Sequence, residues 1–331
     1  MKRVVPGIKI LAMRLAVISL PLAALVACGS GSRKPTPPAA AERPSLASFL
    51  DAASILPPSA LAIAWADVDA LRDGPASPLL EGIDRSLEVP GTSQTTFIGD
   101  NLGSIHRIAG GMYPTMSGTS ILVILDGDFT PETMFEAART WAGEREVAIS
   151  PCKVRGRAGL RSGGTVLVHA GEGMFVNGPE GLVTRSLDLM DRKVTGSVVD
   201  PELAYLASST VEEPAALVVS GITPPTSYEW LLAKKLPSMV GSRFLLSAST
   251  PGDIRFRLGL LAGKPIKPIW FAQEVNTFLV RASDDPGIVK LGLSDWVEGL
   301  EVELLAKGIV VKGAIDPDKL VEVVKGPGGE S

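Results

Sequence analysis

Few residues in this chain are equipped for chemistry. The histidines are His106 and His169, and the cysteines are Cys28 and Cys152. Neither histidine has a ligand-type residue two or four positions on, so a zinc site or a Ser–His–Asp triad has little to draw on. His169 reads as structural or solvent-facing. Paired carboxylates occur twice, Asp67 with Asp69 and Asp126 with Asp128. Both pairs stand at turns, where Asp is expected as a cap or turn residue rather than as a catalyst.

Cys152 leaves two readings open. Val147 and Ile149 share one strand parity and Cys152 and Val154 the other, so a bulge near Pro151 would keep both pairs on the core side and leave a buried, inert thiol. Alternatively, Lys153 and Arg155 stand beside the sulfur and favour a reactive thiolate. On the opposite parity lie Lys153, Arg155 and Arg157, and Arg255 and Arg257 alternate in the same way with Ile254, Phe256 and Leu258. These five cations either form a patch for phosphate or carboxylate groups or are the wet face of a half-buried sheet.

No strong catalytic motif is present: there is no GxSxG, HExxH, CxxC, EF-hand loop or GxGxxG. "GLLAGKP" around Gly263 and Lys264 lacks the spacing and the Ser or Thr of a phosphate loop. "SPCK", Ser150 to Lys153, fits SxxK, but that motif opens a helix in the penicillin-binding families. Here Val147 to Arg157 reads as a strand, and "KVTG" at Lys193 replaces the accompanying KTG.

Several elements must position these groups. Leu46, Phe49, Leu50 and Ala53 form one helical stripe, stopped by Pro57 and Pro58. Ala60 to Ala66 is a strand-length apolar run, with Asp67 placed to cap a helix starting at Val68. Ser120 to Leu125 is a second buried strand, leading to a helix capped by Thr130 with Pro131 at its first position. Gly178–Pro179, Asp200–Pro201 and Asp316–Pro317 repeat that device, and "TSYE" from Thr226 has capping-box spacing. Hairpins are expected at Gly171–Glu172–Gly173, at Pro251–Gly252–Asp253 and at Lys307–Gly308.

Strands joined by tight turns run antiparallel, so the expected fold class is α+β: antiparallel sheets with helices packed on one face. "PPSALAIAWADVDALR" and "EPAALVVSGITPPTSYEWLL" share a strand–turn–helix pattern, as do "SILVILDGDFTPETMFEAA" and "GIVVKGAIDPDKLVEVV". This suggests two similar lobes, 45–196 and 197–331. Trp65 and Trp230 lie in apolar segments and read as core.

The N-terminus has a different character. Residues 1–14 carry Lys2, Arg3, Lys9 and Arg14 and no acid, and the 13 residues from Leu15 to Ala27 are almost all apolar. As a helix that run reaches about 20 Å, short of roughly 30 Å of hydrocarbon, so residues 1–27 read as a secretory signal. Leu25, Val26, Ala27 and Cys28 resemble the lipobox of bacterial lipoproteins. The resemblance covers about thirty residues. It implies cleavage before Cys28, a thioether-linked diacylglycerol on its sulfur, further acylation (palmitate) of the new amino group, and practically permanent anchoring. Gly29, unlike Asp at that position, is similar to residues that direct lipoproteins to the outer membrane, on its periplasmic side.

Beyond Cys28, the Pro-, Ser- and Gly-rich stretch 29–44 cannot bury enough apolar surface to fold. In polyproline form it would reach up to about 50 Å. Loss of residues 1–27 removes four cations and takes the formal charge from −4 to −8, which disfavours nucleic acid as a partner. With Cys28 lipidated, Cys152 has no partner for a disulfide, so stability must come from a core. Aromatic residues make up 5% of the chain, few for a carbohydrate platform. No cofactor and no metal is expected. The sequence therefore reads as a lipid-anchored cell-envelope lipoprotein whose body is a non-catalytic binding or assembly module for another envelope protein, a lipid or a small anionic ligand. The rival reading is an envelope hydrolase with a dispersed carboxylate site.

Overall fold

Two prolines and an aspartate set the first turns of the fold. In the computed structural model, which describes residues 45–74, 102–116, 118–144, 146–222, 243–249, 254–262, 266–290, 292–317 and 319, α1 (Ser45–Ser54) ends before Pro57. Phe49 and Ala53 are buried, with Leu46 and Leu50 packed beside them, as the stripe requires. Then β1 (Ala62–Asp67) passes into α2 (Val68–Asp73), with the Asp67 carboxylate accepting from the Ala70 amide at 3.0 Å. A 3₁₀ turn at Leu102–Ser104 opens the long hairpin of β2 (Ile105–Thr115) and β3 (Gly118–Gly127). Thr130 caps α3 (Pro131–Glu144) by accepting from the Thr133 amide at 3.2 Å.

A four-strand meander follows: β4 (Ser150–Val154), β5 (Arg157–Ser162), β6 (Thr165–Gly171) and β7 (Met174–Pro179). The turn at Gly171–Glu172–Gly173 lies where the sequence places it. Gly173 has φ +75°, and a Cβ there would stand 2.2 Å from the Gly127 carbonyl, so only glycine fits. Helix α4 (Glu180–Met190) begins with Pro179 as its N-cap, one residue later than expected, and α5 (Pro201–Thr210) is capped by Asp200, which accepts from the Leu203 amide at 2.8 Å. The second half contains β8 (Leu217–Ile222), β9 (Arg243–Ser249), β10 (Ile254–Leu261), α6 (Pro268–Ser283), α7 (Pro286–Lys290), α8 (Ser294–Glu298), β11 (Glu301–Leu304) and β12 (Gly308–Ile315). Cys28, the tether, the capping box at Thr226, Trp230, the turn at Pro251–Gly252–Asp253 and most of the helix expected after Pro317 lie outside the described residues.

The architecture is α+β, but it differs from expectation in two respects. Among the described residues twelve strands form one continuous antiparallel sheet, in the order β11-β12-β10-β9-β8-β1-β2-β3-β7-β6-β5-β4, with β8 hydrogen-bonded directly to β1. Helices also cover both faces rather than one. On one face α1, α4 and α5 bury Phe49, Leu187 and Leu206 against Trp65, Ile124 and Val218. On the other, α2 and α3 bury Val68, Met134 and Phe135 against Ile108, Leu125 and Phe175, while α6 places Phe271 and Val275 on Leu260 and Ile309. The reason is visible along the strands. β8 is buried at five consecutive positions, Leu217 to Gly221, a run that needs cover on both sides.

Packing is close in both layers. Phe175 is fully buried, with the rings of Phe129 and Phe135 edge-on to it at 6.2 and 5.8 Å. Helix α5 lies so near β10 that a Cβ on Gly259 would stand 2.2 Å from Thr210 Oγ1.

Candidate functional site

The strand register gives the sheet two ends with different chemistry. At one end, Asp67, the start of β2, Gly127, Leu217, Ile254 and Ile315 lie side by side. At the other are Ala62, the β2–β3 hairpin tip, Ile222, Arg243, Leu261 and Gly308.

The first end collects the carboxylates that the sequence pairs only locally. His106 sits in the β2–β3 register shift between Ile105 and Arg107. Its Nδ1 is 2.7 Å from Asp69 Oδ2 on α2, and its Nε2 is 3.1 Å from Asp128 Oδ2 after β3. Arg72, one helical turn beyond Asp69, donates to Asp69 Oδ1 at 2.9 Å and to the Ile105 carbonyl at 3.0 Å. Burial alone pulls the His106 pKa down, but the hydrogen bonds and charges of Asp69 and Asp128 outweigh it and leave it above the ordinary 6.5. Asp67 is the helix cap, and Asp126 faces Arg107 at 3.7 Å. Each pair is thus split between a structural member and a member turned to His106. Sequence reasoning missed this cluster because Asp69 and His106 are 37 residues apart, and only the folding of α2 back over β2 brings them together.

The α1 N-terminus is at this end too. The Glu213 carboxylate accepts from the Ser45 amide at 2.6 Å and the Leu46 amide at 2.8 Å, while Ser45 Oγ accepts from the Ala215 amide at 2.9 Å. Burial pushes the Glu213 pKa up, yet the backbone donors outweigh it and hold the group below the usual carboxylate value.

The five cations offered as an anion site are not brought together. β5 and β10 are eight strand intervals apart in the sheet, about 38 Å. Val147 to Arg157 is not one strand, because Arg155 (φ +51°) and Gly156 (φ +80°) form the two-residue turn of the β4–β5 hairpin. From that turn Arg155 forks onto Asp188 Oδ1 and Oδ2 at 2.8 and 2.6 Å, and the fork holds Asp188 below the usual carboxylate range. Arg157 bonds Asp191 at 2.5 Å and donates to the Ala170 carbonyl. In the other half, Arg257 lies between Glu212 at 3.7 Å and Glu303 at 3.8 Å. Lys153 and Arg255 are exposed. Three of the five are therefore committed to acids of the fold itself.

Cys152 needs no bulge. β4 pairs with β5 in continuous register, and Ile149 packs on one face while Cys152 and Val154 pack on the other. A sheet covered on both sides accepts both parities. Burial raises the thiol pKa, and Arg161 only partly offsets this, which matches the inert reading. Ser150 is exposed at the start of a strand, as expected for a chance SxxK match. His169 rests against the Phe175 ring at 5.1 Å, and Trp65 is core. Among the described residues no group of three or more His, Cys, Asp or Glu is arranged to hold a metal ion.

The second end carries exposed apolar side chains. Leu61, Met116, Ile222, Ile269, Trp270 and Leu304 are all exposed there, Trp270 at 59%. The exposed Lys267 places Nζ 5.3 Å from the Trp270 ring, and the exposed Lys307 stands at the β11–β12 turn. Ile222 donates its amide to the Leu61 carbonyl at 3.0 Å, so these two lie side by side.

No family model and no curated protein matches the chain. Solved structures of TP0453 resemble it in fold. Crystal form III superposes with a TM-score of 0.50 at 10% identity, covering 82% of this chain and 96% of that one. Crystal form I gives 0.50 at 10% identity, with 83% and 96% covered. Among the described residues no helix is long and apolar enough to cross a membrane.

Proposed function

We propose that this chain is a lipid-anchored cell-envelope protein, tied through Cys28 to the periplasmic side of the outer membrane, whose body binds another envelope protein. The observation that carries the binding role is the set of large apolar side chains left exposed along the second end of the sheet, since exposed apolar surface of this kind is what interfaces use. The tether reaches the body at Ser45, held by Glu213 at the opposite end of the sheet. The apolar end thus lies opposite the residue at which the tether joins the body, and a tether of up to about 50 Å leaves it open to other proteins of the compartment. Lys267 and Lys307 beside it suit a partner surface with acidic residues around an apolar centre. A small anionic ligand on the arginine stripes has less support, because Arg155, Arg157 and Arg257 already hold carboxylates.

A hydrolase that uses a carboxyl group as its general acid needs one kept protonated near neutral pH. The described carboxylates with a shifted pKa, Glu180, Asp188, Asp191 and Glu213, are all shifted downward by cations or backbone amides. Two repeats within the one sheet also belong to this proposal. β1-β2-β3 and β8-β9-β10 are each a meander followed by a helix, and in each half a later strand, β7 or β12, returns to pair with the third. In that scheme β1 matches β8, as the sequence suggests, but the counterpart of β12 is β7 rather than β3.

Photo-crosslinking in intact cells tests the binding surface. A crosslinker at position 270 or 222 of the full chain gives the same discrete protein adduct, a crosslinker at 153 gives none, and Ile269→Asp abolishes the adduct. Equal labelling from 270 and 153, or labelling of lipid alone, overturns the reading. Cys28→Ser, grown with radiolabelled palmitate, tests the anchor separately: retained label or retained membrane sedimentation refutes it.

A further inference from the structure

We propose that His106 is a proton-controlled latch: as imidazolium it ties α2, through Asp69, and the β3–α3 connection, through Asp128, to the start of β2, and as neutral imidazole it releases the Asp128 arm. The geometry demands the charged form. Both ring nitrogens face carboxylate oxygens, at 2.7 and 3.1 Å, and carboxylates only accept. A neutral ring carries one N–H and so serves only one of them. The shorter contact to Asp69 is also the better supported, because Arg72 fixes that carboxylate from its other oxygen. Loss of the proton from Nε2 then leaves a lone pair facing Asp128, whose side chain is 75% exposed and free to turn into water.

The groups around the ring come from every described element that meets there. Asp69 and Arg72 lie on α2, Asp128 follows β3, and Arg107 of β2 and Asp126 of β3 face one another at 3.7 Å. Asp67 is occupied in capping α2. Among the described residues Arg72 and Arg107 each face an acid, Asp69 and Asp126, so the ring proton offsets the charge of the second carboxylate at His106, Asp128. Histidine has the ordinary pKa nearest neutrality among the side chains, and the two carboxylates move this one upward. The sign follows from linkage. A folded pKa raised above 6.5 gives stability that is complete below the unfolded value and is lost as pH climbs through the folded one.

The test uses the full chain in detergent with ¹³C-labelled histidine, whose only other signal, from His169, is an internal reference. His106 is expected to titrate above 6.5, and D69N and D128N are each expected to move its midpoint down. In melts, the advantage of wild type over H106Q is expected to be largest below the unfolded value of 6.5 and to shrink as pH climbs through the His106 midpoint found by titration. If H106Q does not fold, D128N supplies the same comparison, because that carboxylate is mostly in water. A midpoint at or below 6.5, a midpoint indifferent to both Asp substitutions, or a melting difference constant across the pH range overturns the latch.

Discussion

Replacing Glu213 with Gln asks whether a single side chain holds the first helix, and with it the tether, to the body. The Glu213 carboxylate serves the two leading amides of α1 at 2.6 and 2.8 Å, donors that have no partner within the helix. A hydrogen bond to a charged group contributes about 1.5–3 kcal/mol, and a negative charge at a helix N-terminus about 0.3–1 kcal/mol. Glu213 is exposed to water on one side, so the lower ends apply. Gln keeps one acceptor oxygen and loses the charge, which leaves an expected cost of about 1–2 kcal/mol, or roughly 2–3 °C in melting temperature for a body of this size. Because the folded pKa is depressed, the contribution is present above the unfolded carboxylate value and disappears as pH falls through the folded one. The assay is thermal melting at neutral and at acid pH, joined to hydrogen exchange over Ser45–Ser54. Faster exchange confined to that helix is expected, together with a difference from wild type that vanishes in acid. Glu212→Gln is the control, since Glu212 faces Arg257 and not α1. Unchanged exchange over α1 in E213Q, or an equal effect of E212Q, refutes the reasoning.

Other expectations come from the packing. Gly259→Ala places a methyl 2.2 Å from Thr210 Oγ1, and the forced shift of α5 is expected to cost about 1–3 kcal/mol in chemical denaturation. An unaltered midpoint would show that α5 gives way freely. Phe175→Ala empties the ring site between Phe129 and Phe135 and is expected to cost about 3–5 kcal/mol by the same measurement. Cys152 is expected to react with an alkylating reagent more slowly than a free thiol near neutral pH and to accelerate only at alkaline pH, because its raised pKa keeps it protonated. Rapid modification at neutral pH would restore the thiolate reading.

Local features of the fold were legible where one side chain decides a backbone event. Asp67, Thr130 and Asp200 cap the helices that follow them, since a short oxygen-bearing side chain beside an orphan amide needs no distant partner. The turn at Gly171–Glu172–Gly173 was legible for the same reason. By contrast, the turn at Arg155–Gly156 was hidden because its first residue is an arginine, a residue that seldom takes positive φ, and its guanidinium is held by Asp188 from another element. The bulge near Pro151 was an artefact of assuming a single core face.

Chain order and residue type therefore determined the helix starts at Val68, Pro131 and Pro201, the turns at Gly171–Glu172–Gly173 and Lys307–Gly308, the antiparallel pairing and the expectation of a lipid-modified Cys28. These depend on contacts within a few residues, or on the chemistry of a processing site. Only the tertiary structure decided that β1 joins β8 so that both halves share one sheet, and that helices cover both its faces. It also sent Asp69 and Asp128 to His106, and Arg155 and Arg157 to the acids of α4. Such choices are made by burial summed over many side chains far apart in sequence. A strand's alternation says which residues share a face, but it does not say what will lie against that face.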